Sequence, residues 1–596
     1  MQRPTISSIT SGVLSVKIVS RVIVVGAMAL TLCACAEQNT NDATEVLAAK
    51  EHSSNGPEKT IGQPNLLIVI ADDLGYSDLG AFGGEIETPN IDALAESGTQ
   101  MVDFYASLTC SPSRAMLMSG ADNHLAGLGN MDETLADNQL GIPGYEGYLN
   151  ERVLTLADAL KSGGYQTYMA GKWHLGMTKA LGPAERGFDK SFALLSGGGS
   201  HYDNSFGPDM HRTEALYRDN GKLLNRAPEG FFSSDYYTNR IIQNIEDGGA
   251  SEDPFFAYLS FTAPHWPLQL PPEYDGKYAE TYKKGWAEVR GQRLAKLKAL
   301  GIVSEANDMA PFGADWDALS EQEKQFSAKK MEIYAAMVDD MDANIGNLVD
   351  YLKSKGLYEN TVIVFLSDNG ASPWGNDTSP PAVRDWANTF NNSYENAGQP
   401  DSFILYGKQW AEVSNTPYKH SKGSASEGGI RVPMILRMPE HLLPESSSSI
   451  SNVLAGIEDI MPTFLELAGV DAQAPKVKAD QVPVTGSSFL PELMSDGNSI
   501  EASTSSSKVV AREIWGKQGL RAGSWKIVNQ PPPMGNGDWQ LYNLENDIAE
   551  QFDLASEEPQ KLAEMLGLWR EYVESNNVVL PEGEFRVRDV GASPTE

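Results

Sequence analysis

Two apolar runs constrain the fold most. Residues 65–71 read NLLIVIA and residues 361–366 read TVIVFL. Both are rich in β-branched side chains, and neither alternates apolar with polar residues. An amphipathic strand would alternate. A continuous run of this length suits a parallel strand buried on both faces, which places the chain in the α/β class.

Both runs stop at oxygen-bearing pairs. The first is followed by Asp72-Asp73-Leu74-Gly75 and the second by Ser367-Asp368-Asn369-Gly370. Sites in open α/β sheets form beyond the carboxyl ends of the strands. Hard divalent cations take carboxylate and amide oxygens. Asp72, Asp73, Asp368 and Asn369 therefore form a candidate calcium or magnesium site, although each pair alone is equally the signature of a turn or helix cap. Three further segments are expected to be strands ending in chemistry. Residues 166–170 lead to Lys172 and His174, residues 255–261 lead to His265, and residues 418–421 lead to Lys422 and the run EGGIRVP. Lysines fix charge on an anion, and histidines supply a proton to a leaving oxygen.

Cys110-Ser111-Pro112-Ser113-Arg114 precedes the helix-favouring run Ala115 to Met118. Pro112 fits a first helical turn, so Cys110 is expected at a helix N-terminus. There the dipole should depress its pKa and make it reactive. A buried structural cysteine is the alternative.

The pattern Cys-x-Pro-x-Arg, continued as CSPSRAMLMSG, resembles the sulfatase signature. So do GAFGGEIETPNIDALA, DNHLAGLGNM, GYEGYLNERV, GYQTYMAGKWHLG, APHWPLQ, SDNGA and EGGIRVP. The resemblance runs from about Asn65 to the C-terminus and is nearest to bacterial, calcium-dependent type I arylsulfatases of the alkaline phosphatase superfamily. It implies a large mixed, mostly parallel sheet between helices with a small C-terminal subdomain. It also implies that a maturation enzyme converts Cys110 to Cα-formylglycine. Asp72, Asp73, Asp368 and Asn369 would hold one Ca²⁺ together with that residue. Arg114 would stabilise the hydrated aldehyde, and Lys172 and Lys422 would grip the sulfate. His174 would orient the hydrate, His265 would protonate the leaving oxygen, and Asp368 would take the proton of the attacking hydroxyl. The implied reaction is hydrolysis of sulfate monoesters, aryl or carbohydrate. A phosphoester or phosphonate hydrolase of the same superfamily is one rival, and a non-catalytic lipoprotein that binds sulfated glycans is another.

The rest of the chain frames this core. Lys17 and Arg21 precede an apolar run, residues 22–32, too short to span a membrane, and the run ends in Leu32-Cys33-Ala34-Cys35. It reads as a signal peptide with a lipoprotein box. Residues 1–35 are thus expected to direct export, with Cys35 carrying a lipid anchor to the outer membrane, and residues 36–62 to form a polar tether. Residues 63–495 are expected to be the catalytic domain and 496–596 a C-terminal subdomain. In the latter, residues 509–515, 519–528 and 539–543 read as strands and 561–573 as a packed helix. Loops over the site are expected at 189–232, including His201, Tyr202, His211 and Tyr217, and at 372–409. His420 has no assigned role. Residues 332–352 read as a helix with Ile333, Met337, Met341, Ile345, Leu348 and Leu352 on one packed face and its acids towards solvent. The formal net charge is −34, which excludes nucleic acid as a partner. An anion site must then be built locally from a few cations.

Overall fold

Strand β1 (Asn65–Ala71) lies inside the main sheet and is buried along its whole length. In the computed structural model the described residues are 63–588, apart from 207–213, 250–252, 444–448, 472–479, 496–507 and 584. The leader, Cys35, the tether, His211 and the serine-rich residues 496–507 therefore lie outside the described residues. After β1 come β2 (Thr99–Met101), β3 (Phe104–Tyr105), β4 (Gln166–Lys172), β5 (Lys190–Leu194), β6 (Tyr217–Asp219), β7 (Lys222–Leu223) and β8 (Phe255–Ser260). The remainder are β9 (Thr361–Ser367), β10 (Met434–Arg437), β11 (Ile450–Ser451), β12 (Ala455–Gly456), β13 (Val509–Ile514), β14 (Lys517–Ala522), β15 (Trp525–Asn529) and β16 (Trp539–Asn543).

Ten of these strands form one sheet, in the order β11-β2-β10-β9-β1-β8-β4-β5-β6-β7. From β9 to β5 all neighbours are parallel. Strand β10 is antiparallel to β9 and β6 to β5. The sheet is thus mixed and mostly parallel, as expected. The reason the runs do not alternate is visible in the packing. Leu67 and Val69 enter a core on one face with the helices Ser233–Asp247 and Glu321–Ser354. Leu66, Ile68 and Ile70 enter a second core on the other face with the helices Cys110–Ser119, Leu156–Ser162 and Ile460–Ala468. Each such side chain contributes about 1.5–3 kcal/mol on burial.

The long helix places all six expected apolar residues in the first core. Of its acids, Asp350 is exposed as expected, but most of the others are not. Asp339, Asp340 and Asp342 are buried. Asp342 accepts the backbone N–H groups of Asn90 and Ile91 at 3.1 and 2.8 Å, capping the helix Pro89–Glu96. Two strand expectations also fail. Residues 418–421 form no strand. Residues 519–528 are not one strand but the hairpin β14–β15, which turns at Gly523, where φ is +58°. The loops expected at 189–232 contain β5, β6 and β7, and the 372–409 segment contains the helix Pro381–Ala387 and the start of the helix Lys408–Ser414.

Strands β13 to β16 form an antiparallel sheet against the helix Pro559–Ser575. A buried ionic network ties this sheet to β3 and to the helix Glu427–Ile430. Glu427 accepts from Lys526 at 2.6 Å and from Tyr105 at 2.6 Å, and Lys526 also pairs with Glu550 at 2.9 Å. A second tie is His124, which bonds Asp122 at 2.8 Å and Glu513 at 3.1 Å. Burial opposes the charge on His124, but Asp122 and Glu513 outweigh it and lift the pKa to about 9. The folded value exceeds the unfolded one, so this stabilisation is complete below about pH 6.5 and is lost as pH rises through about 9. We expect His124→Gln to lower stability by about 2–3 kcal/mol at pH 6 and by clearly less at pH 9.5. Thermal unfolding of both proteins at the two pH values checks this, and equal losses would contradict it.

Candidate active site

The parallel strands β1, β4, β8 and β9 end on one edge of the sheet, and the helix Cys110–Ser119 points its N-terminus at that edge. Asp72 and Asp73 follow β1, Lys172 closes β4, His265 follows β8, and Asp368 and Asn369 follow β9. Cys110 Sγ lies 3.4 Å from Asp72 Oδ1, 3.6 Å from Asp73 Oδ1 and 3.0 Å from Lys422 Nζ. Lys422 Nζ also donates to Asp73 Oδ1 at 2.6 Å. Lys172 Nζ donates to both oxygens of Asp72, at 3.0 and 2.7 Å. Asn369 Nδ2 donates to Asp73 Oδ1 at 2.7 Å, and the Asp73 N–H donates to Asp368 Oδ1 at 3.2 Å.

Arg114 sits under this cluster, fully buried. Its Nε donates to Asp368 Oδ2 at 2.9 Å, and its Nη1 donates to Ser260 Oγ at 2.6 Å and to the Lys172 carbonyl at 3.0 Å. Close approach of β4 to β8 makes this possible. Gly171 has φ +116°, and a Cβ there would lie 1.7 Å from the Ser260 carbonyl oxygen. Asp73 and His174 also hold left-handed backbone, at φ 66° and 55°. Non-glycine residues in that region carry strain that clusters at functional sites.

Electrostatics separate the groups. Burial raises Asp73, but Lys422 and the neighbouring cations outweigh it and hold the carboxyl well below its usual range. Burial and Asp72 push Asp368 up. Burial and the cations Lys172 and Arg114 hold His174 far down, so it is neutral. His265 is likewise lowered, mainly by burial. Its Nδ1 donates to the Trp266 carbonyl at 2.6 Å, which leaves Nε2 facing Asp73 Oδ2 at 3.6 Å. The expectation of an acidic thiol fails. Burial, followed by the Asp368 charge, drives the Cys110 thiol well above its usual value. Lys172 and Lys422 pull the other way but do not offset the loss of water around a thiolate, so the unmodified thiol is a poor nucleophile.

A cavity of about 420 Å³ opens on this cluster and is lined by Cys110, His174, His265 and Lys422. Lys172 is not on its wall. It lies behind Asp72 with its side chain fully buried. His420 is not on the wall either. Residues of type Asp, Cys and His whose ligand atoms lie within 4.8 Å of one another are Asp72, Asp73, Cys110 and His265. Asp368 and Asn369 adjoin them through the bonds above.

A family model described as Sulfatase matches residues 64–470. The chain belongs to the sulfatase family. This sulfatase is 40% identical over 542 residues to an uncharacterized sulfatase of Schizosaccharomyces pombe, covering 89% of this chain and 97% of that one. It is 40% identical over 433 residues to the arylsulfatase of Klebsiella aerogenes, covering 72% of this chain and 91% of that one. Among solved structures it is similar to Ps i-CgsB, with a TM-score of 0.61, 26% identity, and coverage of 87% of this chain and 95% of that one. Hydrolysis of sulfate esters is the reaction that follows.

The sulfatase offers a cation a fitting set of donors. Asp73 Oδ2 and Asn369 Oδ1 are buried without a hydrogen-bond partner, and an orphaned buried acceptor is costly unless something positive meets it. Asp72, Asp73, Asp368 and Asn369 offer oxygens, which suit a hard ion such as Ca²⁺, whereas the Cys110 sulfur and the His265 nitrogen in the same cluster do not. Ser260 contributes without any local signal in the sequence. His201, in the loop expected over the site, is placed with Nε2 3.1 Å from the His265 carbonyl oxygen and Nδ1 2.7 Å from Ser233 Oγ.

Proposed function

We propose that this sulfatase is a formylglycine-dependent, calcium-binding enzyme of the arylsulfatase type. One observation carries the reading. Cys110 lines the cavity and contacts both the Asp72–Asp73 pair and Lys422. Asp72, Asp73, Asp368 and Asn369, with the group at position 110, would hold the ion. Formylglycine at that position supplies a hydrated aldehyde with one hydroxyl to attack and another for release, and Ca²⁺ supplies fixed positive charge.

The remaining work belongs to side chains in place. Lys422 faces the cavity and meets the sulfate oxygens, where fixed charge in a dry site counts for more than in water. Lys172 holds Asp72 and lends its charge from behind. Arg114 fixes Asp368, whose raised pKa suits a group that takes up a proton. His174 is neutral and lines the same cavity as position 110; in this reading it accepts a hydrogen bond from the group there. His265 Nε2 is the atom that would donate to the leaving oxygen; with the ring neutral and its Nδ1–H on the Trp266 carbonyl, Nε2 takes up that proton only once the anionic ester adds to the pull of Asp73 against burial.

The maturation enzyme is a required partner in this reading. The leader sequence supports export and a lipid anchor at Cys35. A two-metal phosphatase is disfavoured because, among the described residues, only one group of metal-ligating type is found. The test is release of sulfate from 4-nitrophenyl sulfate against release of phosphate from 4-nitrophenyl phosphate, by protein co-expressed with a formylglycine-generating enzyme. Sulfate release faster by orders of magnitude is expected, and faster phosphate release would overturn the reading. A further expectation concerns His265→Ala. It should cost alkyl sulfates about 10²–10⁴-fold in kcat/KM and 4-nitrophenyl sulfate much less, because a good leaving group needs less protonation. Equal losses on the two esters would show that His265 binds sulfate instead.

A further inference from the structure

The alcohol side of the cavity is walled in part by residues beyond the family match. That match ends at residue 470, yet Trp515, Phe585, Val587 and Arg588 line the cavity. They arrive by a carboxy-terminal strap. After the helix Pro559–Ser575 the chain crosses the segment 131–145. Val579 N–H donates to Tyr145 Oη at 2.6 Å, Gln139 Nε2 donates to the Val579 carbonyl at 2.7 Å, and Arg588 N–H donates to the Glu133 carbonyl at 2.7 Å. Phe585 meets Trp515 edge-on, with centroids 5.3 Å apart, and Trp515 Nε1 is anchored on Thr134 Oγ1 at 2.9 Å.

Other parts of the wall are equally apolar. Trp266 and Trp374 stack with centroids 5.5 Å apart and planes within 28°. Met177, Leu181, Leu195 and Val383 fill in the rest. The lysines and arginines on the lining are Lys422 and Arg588. Lys422 is committed to the sulfate end, and Arg588 pairs with Asp137 at 3.4 Å. Asp132, Glu133 and Glu146 lie on the same lining. Glu146 is itself paired with Arg152 at 3.4 Å, so beyond the sulfate subsite the wall offers mainly apolar surface. A volume of about 420 Å³ lies in the range of sites for drug-sized ligands.

We propose that this site selects sulfate monoesters of large apolar alcohols or phenols, and that the strap, through Phe585 and Val587, is the specificity-determining wall. A sugar would set most of its hydroxyls against apolar surface, with Asp132, Glu133 and Glu146 as the carboxylate acceptors in the lining. A second sulfate would find there, besides Lys422, only Arg588, which already pairs with Asp137. The proposal rests on the reading that ester hydrolysis occurs at position 110.

The test is kcat/KM for primary alkyl sulfates from butyl to octyl, below their micelle concentrations, with 4-nitrophenyl sulfate and a sulfated disaccharide alongside. Each added methylene should raise kcat/KM about threefold to fourfold, and the disaccharide should be the poorest substrate. In Phe585→Ala the octyl-to-butyl ratio should fall about tenfold or more. Phe585 is half exposed, so that variant is expected to fold, and the wild-type series stands without it. Turnover of 4-nitrophenyl sulfate with no rise along the alkyl series, or with the disaccharide preferred, would overturn the specificity proposal alone. No sulfate from any ester by matured enzyme would overturn the proposed reaction, and this proposal with it.

Discussion

Cys110→Ala should lower sulfate release by about 10⁴-fold or more, the scale of losing a covalent nucleophile, while the protein remains folded. The side chain is small, and its polar contacts are to Lys422, Asp72 and Asp73. The helix it begins does not depend on it. Thr109, at the N-cap, makes no side-chain cap bond, and Ser113 Oγ instead accepts from the Ser107 N–H at 2.9 Å. Thermal unfolding within a few degrees of wild type, together with the lost turnover, is the expected pair of results. Retained turnover would show that the reacting group lies elsewhere.

Arg114→Ala should be costly in a different way. The guanidinium is fully buried and joins Asp368, Ser260 and the Lys172 carbonyl. Burial alone would lower its pKa, but Asp368 more than compensates, so it stays charged. Removing it leaves Asp368 as a buried charge beside Asp72 and Asp73. Breaking such a pair costs about 3–5 kcal/mol, and the misplaced Asp368 should abolish turnover as well. Arg114→Lys should recover only a minor part of either loss. A lysine keeps the charge but cannot present the planar fork that reaches three acceptors at once. Denaturant unfolding of the three proteins measures this. An alanine variant within about 1 kcal/mol of wild type would contradict the account of the site.

What the sequence made legible follows from how local each signal is. The strands β1 and β9 were readable because burial on both faces writes a continuous apolar run into adjacent positions. The acids after them were readable because parallel strands bring their carboxyl ends to one edge. Residues 418–421 were misread because Lys422 lies at the site without a strand to carry it. Its backbone N–H donates to the Ala371 carbonyl at 3.0 Å across two loops. The buried acids of the helix Glu321–Ser354 were misread for another reason. Periodicity reports the most apolar face, but this helix is enclosed on several sides, and Asp342 is buried as a cap for another helix. Position 110 was found, while the state of its thiol was not. A helix terminus is local information, whereas burial and the charge of Asp368, 258 residues away in the chain, are not. The strap left no local trace, since Phe585 and Val587 gain their meaning only from the cavity they close.

The pH response of His124 and the leaving-group response of His265 test separate parts of the molecule. The first concerns how the C-terminal sheet is held, the second how a proton reaches the ester. Neither depends on the identity of the natural alcohol.

The most direct test of the central claim is the mass of the peptide containing Cys110, taken from enzyme that releases sulfate from 4-nitrophenyl sulfate. The account predicts a peptide lighter than the cysteine form by the difference between CH₂SH and CHO, in a proportion that tracks specific activity across preparations. An unmodified Cys110 in fully active enzyme would contradict it.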